Sequence, residues 1–112
     1  MFVLRSNDTF DWPVKAWVPQ DGKRRALQFM ATFNQIPSAT IGELVSDPET
    51  RDTGKFLEMA LVSFSGFDVQ DEAGNPIEDN ETRNEMVRTN TLFIEPLLDA
   101  YAAGALGHKA KN

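Results

Sequence analysis

The residues that most often perform catalysis or bind metals are sparse in this sequence. The single histidine, His108, stands near the end of the chain in polar surroundings, and the chain has no cysteine. A lone histidine without a cysteine or a serine motif does not make a zinc site or a nucleophile–histidine pair. We therefore predict no catalytic residue, no bound metal and no cofactor, and we expect His108 to be a solvated tail residue.

The acidic run at residues 68–72, which precedes Gly74, is the strongest candidate for a calcium loop. An EF-hand loop with Gly74 at its sixth position needs an acidic residue at position 69, which is valine. A P-loop that includes Gly54-Lys55 fails as well, because Glu49 stands where its first glycine is needed. We therefore expect a solvated acidic loop and a protein that is not an enzyme.

Two tryptophans, Trp12 and Trp17, are the side chains best suited to contact another protein. Tryptophan is enriched at the energetic centres of interfaces, although packing in the core is its commoner role. Phe2 and Tyr101 join them as candidates by composition and by an expected place near the edges of the fold. We expect protein binding through these four side chains.

The composition argues against nucleic acid and membranes as partners. The 112 residues include 17 acidic and 11 basic side chains, for a formal net charge of −6. Such a charge repels phosphate backbones, and no apolar run approaches the roughly 18–20 residues that span a bilayer. The one basic cluster, Lys23-Arg24-Arg25, is either the solvated flank of a hairpin or a recognition spot for an acidic partner.

The start of the chain and the absence of cysteine bear on the compartment. The sequence turns polar after Phe2-Val3-Leu4, so it lacks the apolar segment of a signal peptide. A chain without cysteine fits a reducing compartment. We expect a cytoplasmic protein.

The first third of the chain predicts a β-hairpin. Apolar and polar residues alternate over about residues 14–18 and 25–33, and Asp21-Gly22 between them is a strong hairpin signal. Residues 2–4 are expected to add a third strand. One face of the return strand is apolar at period two, with Leu27, Phe29, Ala31 and Phe33.

Helices are expected after the hairpin, because apolar residues recur at helical spacing. The segments are a short helix from Ser38 or Thr40 to Val45, a helix from Asp47-Pro48 to about Phe64, a short helix capped by Asp79 or Asn80, and a last helix from Thr91 to Ala105. Gly54 is expected to delay the second helix, since glycine costs a helix about 1 kcal/mol relative to alanine. Pro96 is expected in the first turn of the last helix, which Gly104 and Gly107 end.

This order of elements predicts an α+β fold in a single domain. An antiparallel hairpin or small sheet comes first and several helices follow, with no linker and no internal repeat. The polar segment 65–80 predicts a loop or tiny hairpin, anchored on the core by Phe67, Val69 and Ile77. We assign residues 1–107 to the domain and residues 108–112 to a flexible tail.

A series of turn and packing motifs runs in a characteristic order over roughly residues 10–107. The motifs are Val18-Pro19-Gln20-Asp21-Gly22, Phe29-Met30-Ala31-Thr32-Phe33, Phe56-Leu57, Ser65-Gly66-Phe67-Asp68-Val69, Asp71-Glu72-Ala73-Gly74-Asn75-Pro76-Ile77, Leu97-Leu98-Asp99-Ala100-Tyr101 and Gly104. In these motifs the sequence resembles the tail assembly chaperones of long-tailed bacteriophages and prophages. Where that family usually has a Trp-Gly or similar pair, this chain has Phe64-Ser65-Gly66-Phe67.

The resemblance implies a protein-binding role without catalysis. Such chaperones bind the tape measure protein, keep it soluble and help tail tube subunits polymerise around it. It also implies a homo-oligomer in the cytoplasm of the host bacterium that is absent from the mature virion. The family commonly makes a longer form by a translational frameshift, and Ala110-Lys111-Asn112 is compatible with a slippery A-AAA-AAC in the messenger.

Two other functions remain open from the sequence. One is a different structural part of a phage, such as a tail-completion or head–tail joining protein, which would be found in purified particles. The other is an unrelated acidic binding module, such as a mimic of nucleic acid. A mimic should carry its acids on one continuous face, whereas here Glu81-Thr82-Arg83-Asn84-Glu85 interleaves both signs of charge.

Overall fold

The computed structural model describes residues 8–45, 47, 49 and 51–106. In this part of the chain a small antiparallel sheet packs with four helices, which confirms the predicted α+β class. The strands lie in the order β1-β2-β3. The elements are β1 Thr9–Gln20, β2 Lys23–Asn34, α1 Ser38–Val45, α2 Thr53–Ala60, β3 Leu61–Ser65, α3 Asn80–Arg88 and α4 Thr91–Leu106.

The predicted hairpin is confirmed and is longer than expected. Strands β1 and β2 pair from Thr9↔Asn34 to Gln20↔Lys23. Asp21 and Gly22 between them both have positive φ angles, 53° and 74°. Two such residues form a type I′ turn, whose twist matches that of the flanking strands. The strand expected at residues 2–4 lies outside the described residues.

The third strand of the sheet corrects the sequence-based prediction of a helix to Phe64. Helix α2 ends at Ala60, and Leu61–Ser65 form β3, which pairs antiparallel with β2. Leu61 and Phe64 are three residues apart, which fits one stripe of a helix, yet both are buried on the sheet. Strand formation prevails because the second edge of β2 carries backbone groups that need partners, and only the folded chain brings β3 to that edge.

A β-bulge in β3 explains how Leu61 and Phe64 share the core face. Thr32 lies opposite Ser63 and Phe33 opposite Leu61, so Val62 has no partner residue in β2. The extra residue shifts the alternation of side chains by one position. An unbroken strand would place Leu61 and Phe64 on opposite faces, because they are three residues apart. With the bulge between them, both are buried.

Helix α3 is attached to this bulge by two asparagines. The Nδ2 atoms of Asn80 and Asn84, one helical turn apart, each donate a hydrogen bond of 2.8 Å to the Val62 carbonyl. The carbonyl at the bulge is thus bonded by side chains instead of by the sheet.

Helix α3 begins at the predicted cap, since Asp79 accepts hydrogen bonds from the hydroxyl and the backbone N–H of Thr82. These hydrogen bonds, the one from the hydroxyl first, lower the pKa of the Asp79 carboxyl.

The second helix starts at Thr53, so the predicted start at Asp47-Pro48 is wrong, and Gly54 lies within the first turn of α2. Its N-cap is Asp52, whose Oδ1 accepts from the Lys55 backbone N–H at 2.9 Å. Asp47 instead accepts from the backbone N–H of Glu49, also at 2.9 Å. Both aspartates act through local bonds to the backbone, which is their usual role at turns and caps.

The last helix corrects two expectations about its ends. Pro96 is inside α4 beyond the first turn, so the Leu92 carbonyl loses its usual helical donor. Gly104 was expected to end the helix, but it is helical and faces β1 closely. A Cβ atom built on Gly104 would lie 2.7 Å from Cε2 of Phe10 and 2.9 Å from Cδ2 of Trp12. Gly104 therefore permits close approach of α4 to β1.

The core lies between the sheet and the helices and is rich in aromatic rings. Phe67 stacks on Phe93 with ring centroids 5.5 Å apart and on Phe64 at 4.9 Å. Phe67 and Val69 thus anchor the segment 65–80, as predicted, and the Ile77 backbone N–H donates to the Val69 carbonyl. Such tilted and offset ring pairs contribute about 0.5–1.5 kcal/mol each beyond buried area.

Candidate protein-binding surface

The two tryptophans lie on opposite faces of β1. Trp12 is opposite Ala31, which is buried, whereas Trp17 is opposite Ala26, which is exposed. Side chains of a strand alternate between faces, so residues five apart cannot share one. The two candidates therefore do not form a single site.

Trp17 belongs to a sheet face that no described element covers. We call this the outer face. Its hairpin side chains are all exposed except that of Thr32, which is half-buried. The residues of the outer face are Asp11, Pro13, Lys15, Trp17, Pro19, Arg24, Ala26, Gln28, Met30 and Thr32. Trp17 is 47% exposed and Met30 is 43% exposed. Antiparallel sheets commonly expose one face, which is then usually polar. Large apolar side chains on such a face mark a candidate docking surface.

Lys15 lies between the two apolar side chains of the outer face. Its Nζ is 5.1 Å from the centroid of the Trp17 ring, within cation–π range. Its neighbour across the sheet is Gln28, and Met30 follows opposite Pro13. The aliphatic stem of lysine can cover apolar surface while its charge stays in water. The outer face thus presents an exposed tryptophan on β1 with a cation beside its ring, and an exposed methionine on β2.

Two prolines restrict pairing along the edge of β1 that faces away from β2. A two-residue turn is closed by a hydrogen-bonded pair, here Gln20 and Lys23. Hydrogen-bonded and non-hydrogen-bonded pairs alternate along an antiparallel ladder, so Pro13 and Pro19 belong to non-hydrogen-bonded pairs. The backbone groups at these two positions therefore point away from β2. Proline has no N–H to donate, and the edge lacks a donor at both positions. A partner is therefore better placed to contact the outer face than to add a strand.

Trp12 packs at the rim of the contact between β1 and α4. It is 37% exposed, and its ring atoms Cδ2 and Cε3 would lie 2.9 Å and 3.1 Å from a Cβ atom built on Gly104. Part of the ring therefore supports the fold and part remains accessible. Substitution of Trp12 would alter packing as well as any interface.

Tyr101 is a core residue, which corrects its choice as an interface candidate. It is 2% exposed and its ring packs edge-on against Phe33 and Phe56. Its hydroxyl oxygen accepts a hydrogen bond of 2.8 Å from the Ile36 backbone N–H. Burial raises the pKa of the hydroxyl, partly offset by that bond. Phe2, the fourth candidate, lies outside the described residues.

Met30 is an outer-face residue that was not among the predicted interface residues. The signal was present, because Leu27, Phe29, Ala31 and Phe33 take the apolar face of β2 and Met30, at an even position between them, must lie on the opposite face. Methionine is flexible and polarisable, and it is common at surfaces that accept varied partners. Alternation along β2 would therefore have identified it.

Charge is divided unevenly between the hairpin and the rest of the domain. Residues 9–34 carry four basic and two acidic side chains, whereas residues 35–106 carry four basic and fourteen acidic ones. The predicted basic cluster at residues 23–25 is exposed at the start of β2, beside the turn. The outer face therefore lies on the basic side of an acidic protein.

Comparison with protein-family models, curated proteins and solved structures found no match. In the described residues, no group of three or more His, Cys, Asp or Glu side chains could hold a metal ion. Over the same residues, no helix is both long and apolar enough to cross a membrane.

The outer face is the strongest candidate for a binding surface, because Trp17 and Met30 are exposed on it.

Proposed function

We propose that this protein is a tail assembly chaperone of a long-tailed phage or prophage that binds the tape measure protein. The observation that carries the proposal is the uncovered outer face with Trp17 and Met30 exposed on it. The resemblance of the chain to that family supplies the client, a long helix-rich protein of low solubility. The proposed chaperone acts without catalysis, together with tail tube subunits, and leaves before the virion matures.

The outer face suits a helical client. A helix packs well against a sheet when each presents an apolar surface, and Trp17 and Met30 supply apolar anchors on either side of Lys15. Prolines at positions 13 and 19 disfavour an added strand, because the edge of β1 that faces away from β2 lacks N–H donors there. The client helix is therefore proposed to lie on the face, in the helix-in-groove manner of other peptide-binding proteins.

The basic character of the hairpin adds selectivity to this contact. Lys15 and Arg24 lie on the outer face, and Lys23 and Arg25 flank it at the turn. Client helices with acidic residues beside their apolar stripe would be attracted, because opposite charges across an interface steer association. The acidic remainder of the domain keeps the complex soluble through net charge.

The first test is co-expression with the tape measure protein of the same genome, with and without the longer frameshifted form. The expected result is soluble tape measure protein that co-purifies with this chain. Purified virions are examined in parallel, where the chaperone should be absent. A tape measure protein that stays insoluble and unbound even with the longer form contradicts the proposal, and presence in virions favours a structural part of the particle.

The second test places the contact on the outer face. Trp17→Thr removes the largest apolar anchor and keeps a residue that favours strands. We expect the Kd for the client to rise about 30-fold or more, because a hot spot contributes about 2 kcal/mol or more to binding. Met30→Gln is expected to raise the Kd by a smaller factor. Met86→Gln on α3 is the matched control, since Met86 is 41% exposed on another element. Equal binding by all of these variants would exclude the outer face.

A further inference from the structure

The part of the β1–β2 hairpin next to its turn contributes almost nothing to the core. We call residues 17–26, which comprise the turn and the four residue pairs nearest to it, the arm. The side chains of the arm are exposed on both faces of the hairpin, except that Val18 is half-buried at the rim of the core. At about 3.4 Å per residue, these four pairs span roughly 14 Å of strand.

The other part of the hairpin, its base, is fixed in the domain. Ala16, Val14 and Phe29 in the base are buried in the core. Strand β3 pairs with β2 only over Met30–Phe33, so within the described residues no third strand flanks the arm. The hairpin therefore changes after Ala16 from a strand pair held by the core to a two-stranded ribbon in water.

A ribbon of this kind is held closed by weak interactions. An isolated two-stranded hairpin is marginally stable in water, and segments with few buried apolar contacts open at free energies far below that of global unfolding. The turn at Asp21-Gly22 and the Lys15 ammonium beside the Trp17 ring favour the closed arm. The successive basic residues Lys23-Arg24-Arg25 favour opening, because they lie opposite neutral residues of β1 and repel one another.

We infer that the arm opens and closes as a unit separate from the domain, and that its closed form is the one that binds the client helix. The second part of this inference rests on the proposed function. Trp17 lies in the arm and Met30 lies in the base, so only the closed arm holds both anchors of the outer face in place. A docked helix therefore keeps the arm closed, because a ligand favours the state that it binds.

The opening is tested by hydrogen exchange of the free protein at low urea concentrations. Alternate pairs counted from the turn are hydrogen-bonded through both N–H groups, which allows Val18↔Arg25 in the arm to be compared with Val14↔Phe29 in the base. After correction for intrinsic rates, we expect the arm pair to exchange at least about 100-fold faster. Its exchange should hardly depend on urea, because opening the arm exposes little surface. Equal protection and equal urea dependence of the two pairs would overturn the inference.

A disulfide across the arm provides the matched perturbation, since the chain has no cysteine of its own. Pro19→Cys with Arg24→Cys joins a non-hydrogen-bonded pair, whose Cα atoms lie about 4.5 Å apart, as a disulfide requires. Asp11→Cys with Thr32→Cys is the equivalent pair in the base. Each variant is compared in its oxidised and reduced forms, so the loss of the original side chains cancels.

Only the disulfide in the arm is expected to suppress the opening. Its oxidation should slow exchange at Val18 and Arg25 by about 10-fold or more, because the open state loses conformational freedom. Oxidation in the base should leave this exchange unchanged. An equal effect of the two disulfides would mean that the whole hairpin opens together, which contradicts a separate arm.

The role of the closed arm is tested on the complex that co-purifies with the tape measure protein. We expect Val18 and Arg25 to exchange at least about 10-fold slower in the complex than in the free protein. The oxidised arm variant should bind the client at least as tightly as its reduced form, because all of its molecules are closed. Unchanged exchange in the complex, or loss of binding on oxidation, contradicts the closed arm as the binding form. A tape measure protein that does not bind at all contradicts the proposed function, whereas exchange in the free protein still decides whether the arm opens.

Discussion

The contact between α4 and β1 can be tested by one substitution made in two helices. Gly104→Ala adds a Cβ that would lie 2.7 Å from Phe10 Cε2 and 2.9 Å from Trp12 Cδ2, closer than packed carbon atoms approach. Gly54→Ala in α2 adds the same atom where the nearest neighbour, Asp52 Oδ1, is 3.6 Å away. The second position is therefore a matched control for the first.

The magnitude follows from two opposing terms. Alanine in place of glycine favours a helix by about 1 kcal/mol, and this gain applies at both positions, with less at Gly54 near the helix start. Overpacking costs about 1–3 kcal/mol, and it applies only at Gly104. We therefore expect Gly54→Ala to stabilise the domain by up to about 1 kcal/mol and Gly104→Ala to be less stable than it by about 1–3 kcal/mol.

The measurement is urea and thermal unfolding of both variants and the wild type, followed by circular dichroism and tryptophan fluorescence. A difference of about 1 kcal/mol corresponds to a shift of roughly 4 °C in Tm for a domain of this size. The fluorescence of Trp12 should also change in Gly104→Ala, since the added methyl group displaces its ring. Equal stabilisation by the two substitutions would refute close packing of α4 on β1.

Four further substitutions test the attachments inside the domain. Asn80→Ala and Asn84→Ala together should lower the free energy of unfolding by about 1–3 kcal/mol, because the Val62 carbonyl at the bulge loses both donors. The double change should cost more than the sum of the single changes, since either amide alone can bond that carbonyl. A double-mutant cycle in urea measures this difference, and strictly additive effects would contradict shared bonding. Gly66→Ala should lower the free energy of unfolding by about 2–5 kcal/mol, because Gly66 has a φ of 122° and an added Cβ would lie 2.9 Å from the Cβ of Phe29. Thermal stability near that of the wild type would contradict this backbone conformation of Gly66. Tyr101→Phe should cost about 1–3 kcal/mol by removing the acceptor of the Ile36 N–H. Because folding raises the pKa of Tyr101, its hydroxyl contributes fully to the free energy of unfolding below the unfolded-state pKa of about 10, and this contribution is lost as the pH rises through the folded-state pKa. Tyr101→Phe should therefore lose less stability than the wild type at alkaline pH. An identical dependence of stability on pH in the two proteins would contradict the burial of the hydroxyl.

The parts of the fold that were predicted correctly depend on neighbouring residues in the sequence. Asp21-Gly22 supplies the positive φ angles of a tight turn, and period-two apolar residues on both sides make the hairpin. Asp79 caps α3 through residues within one turn. Such local preferences act over a few residues, so they can be read without knowledge of the fold.

The incorrect parts depend on contacts between distant residues. Leu61 and Phe64 suit a helix by their spacing, and they form β3 because the edge of β2 lies beside them in the folded chain. Gly104 suits a helix end, and it lies within α4 because β1 approaches it. In both cases a tertiary contact outweighs a local preference of about 1 kcal/mol or less.

The candidate site was predicted in part. Trp17 was named from its type, and the alternation of β2 could have added Met30 and separated Trp12 from Trp17. The burial of Tyr101 could not be read in the same way, because tyrosine suits either a core or an interface. Only the packing of α4 against the aromatic rings of α2 and β2 decides that its hydroxyl bonds a backbone N–H.

The sequence by itself determined an acidic α+β chain with a tight hairpin and an aspartate cap on α3, since composition, turn residues and periodicity act locally. Only the tertiary structure decided which sheet face is left uncovered, where the third strand pairs and which asparagine is buried with an unpaired oxygen. These features arise where segments far apart in the chain meet, because burial and hydrogen bonding of one segment depend on the partner it packs against.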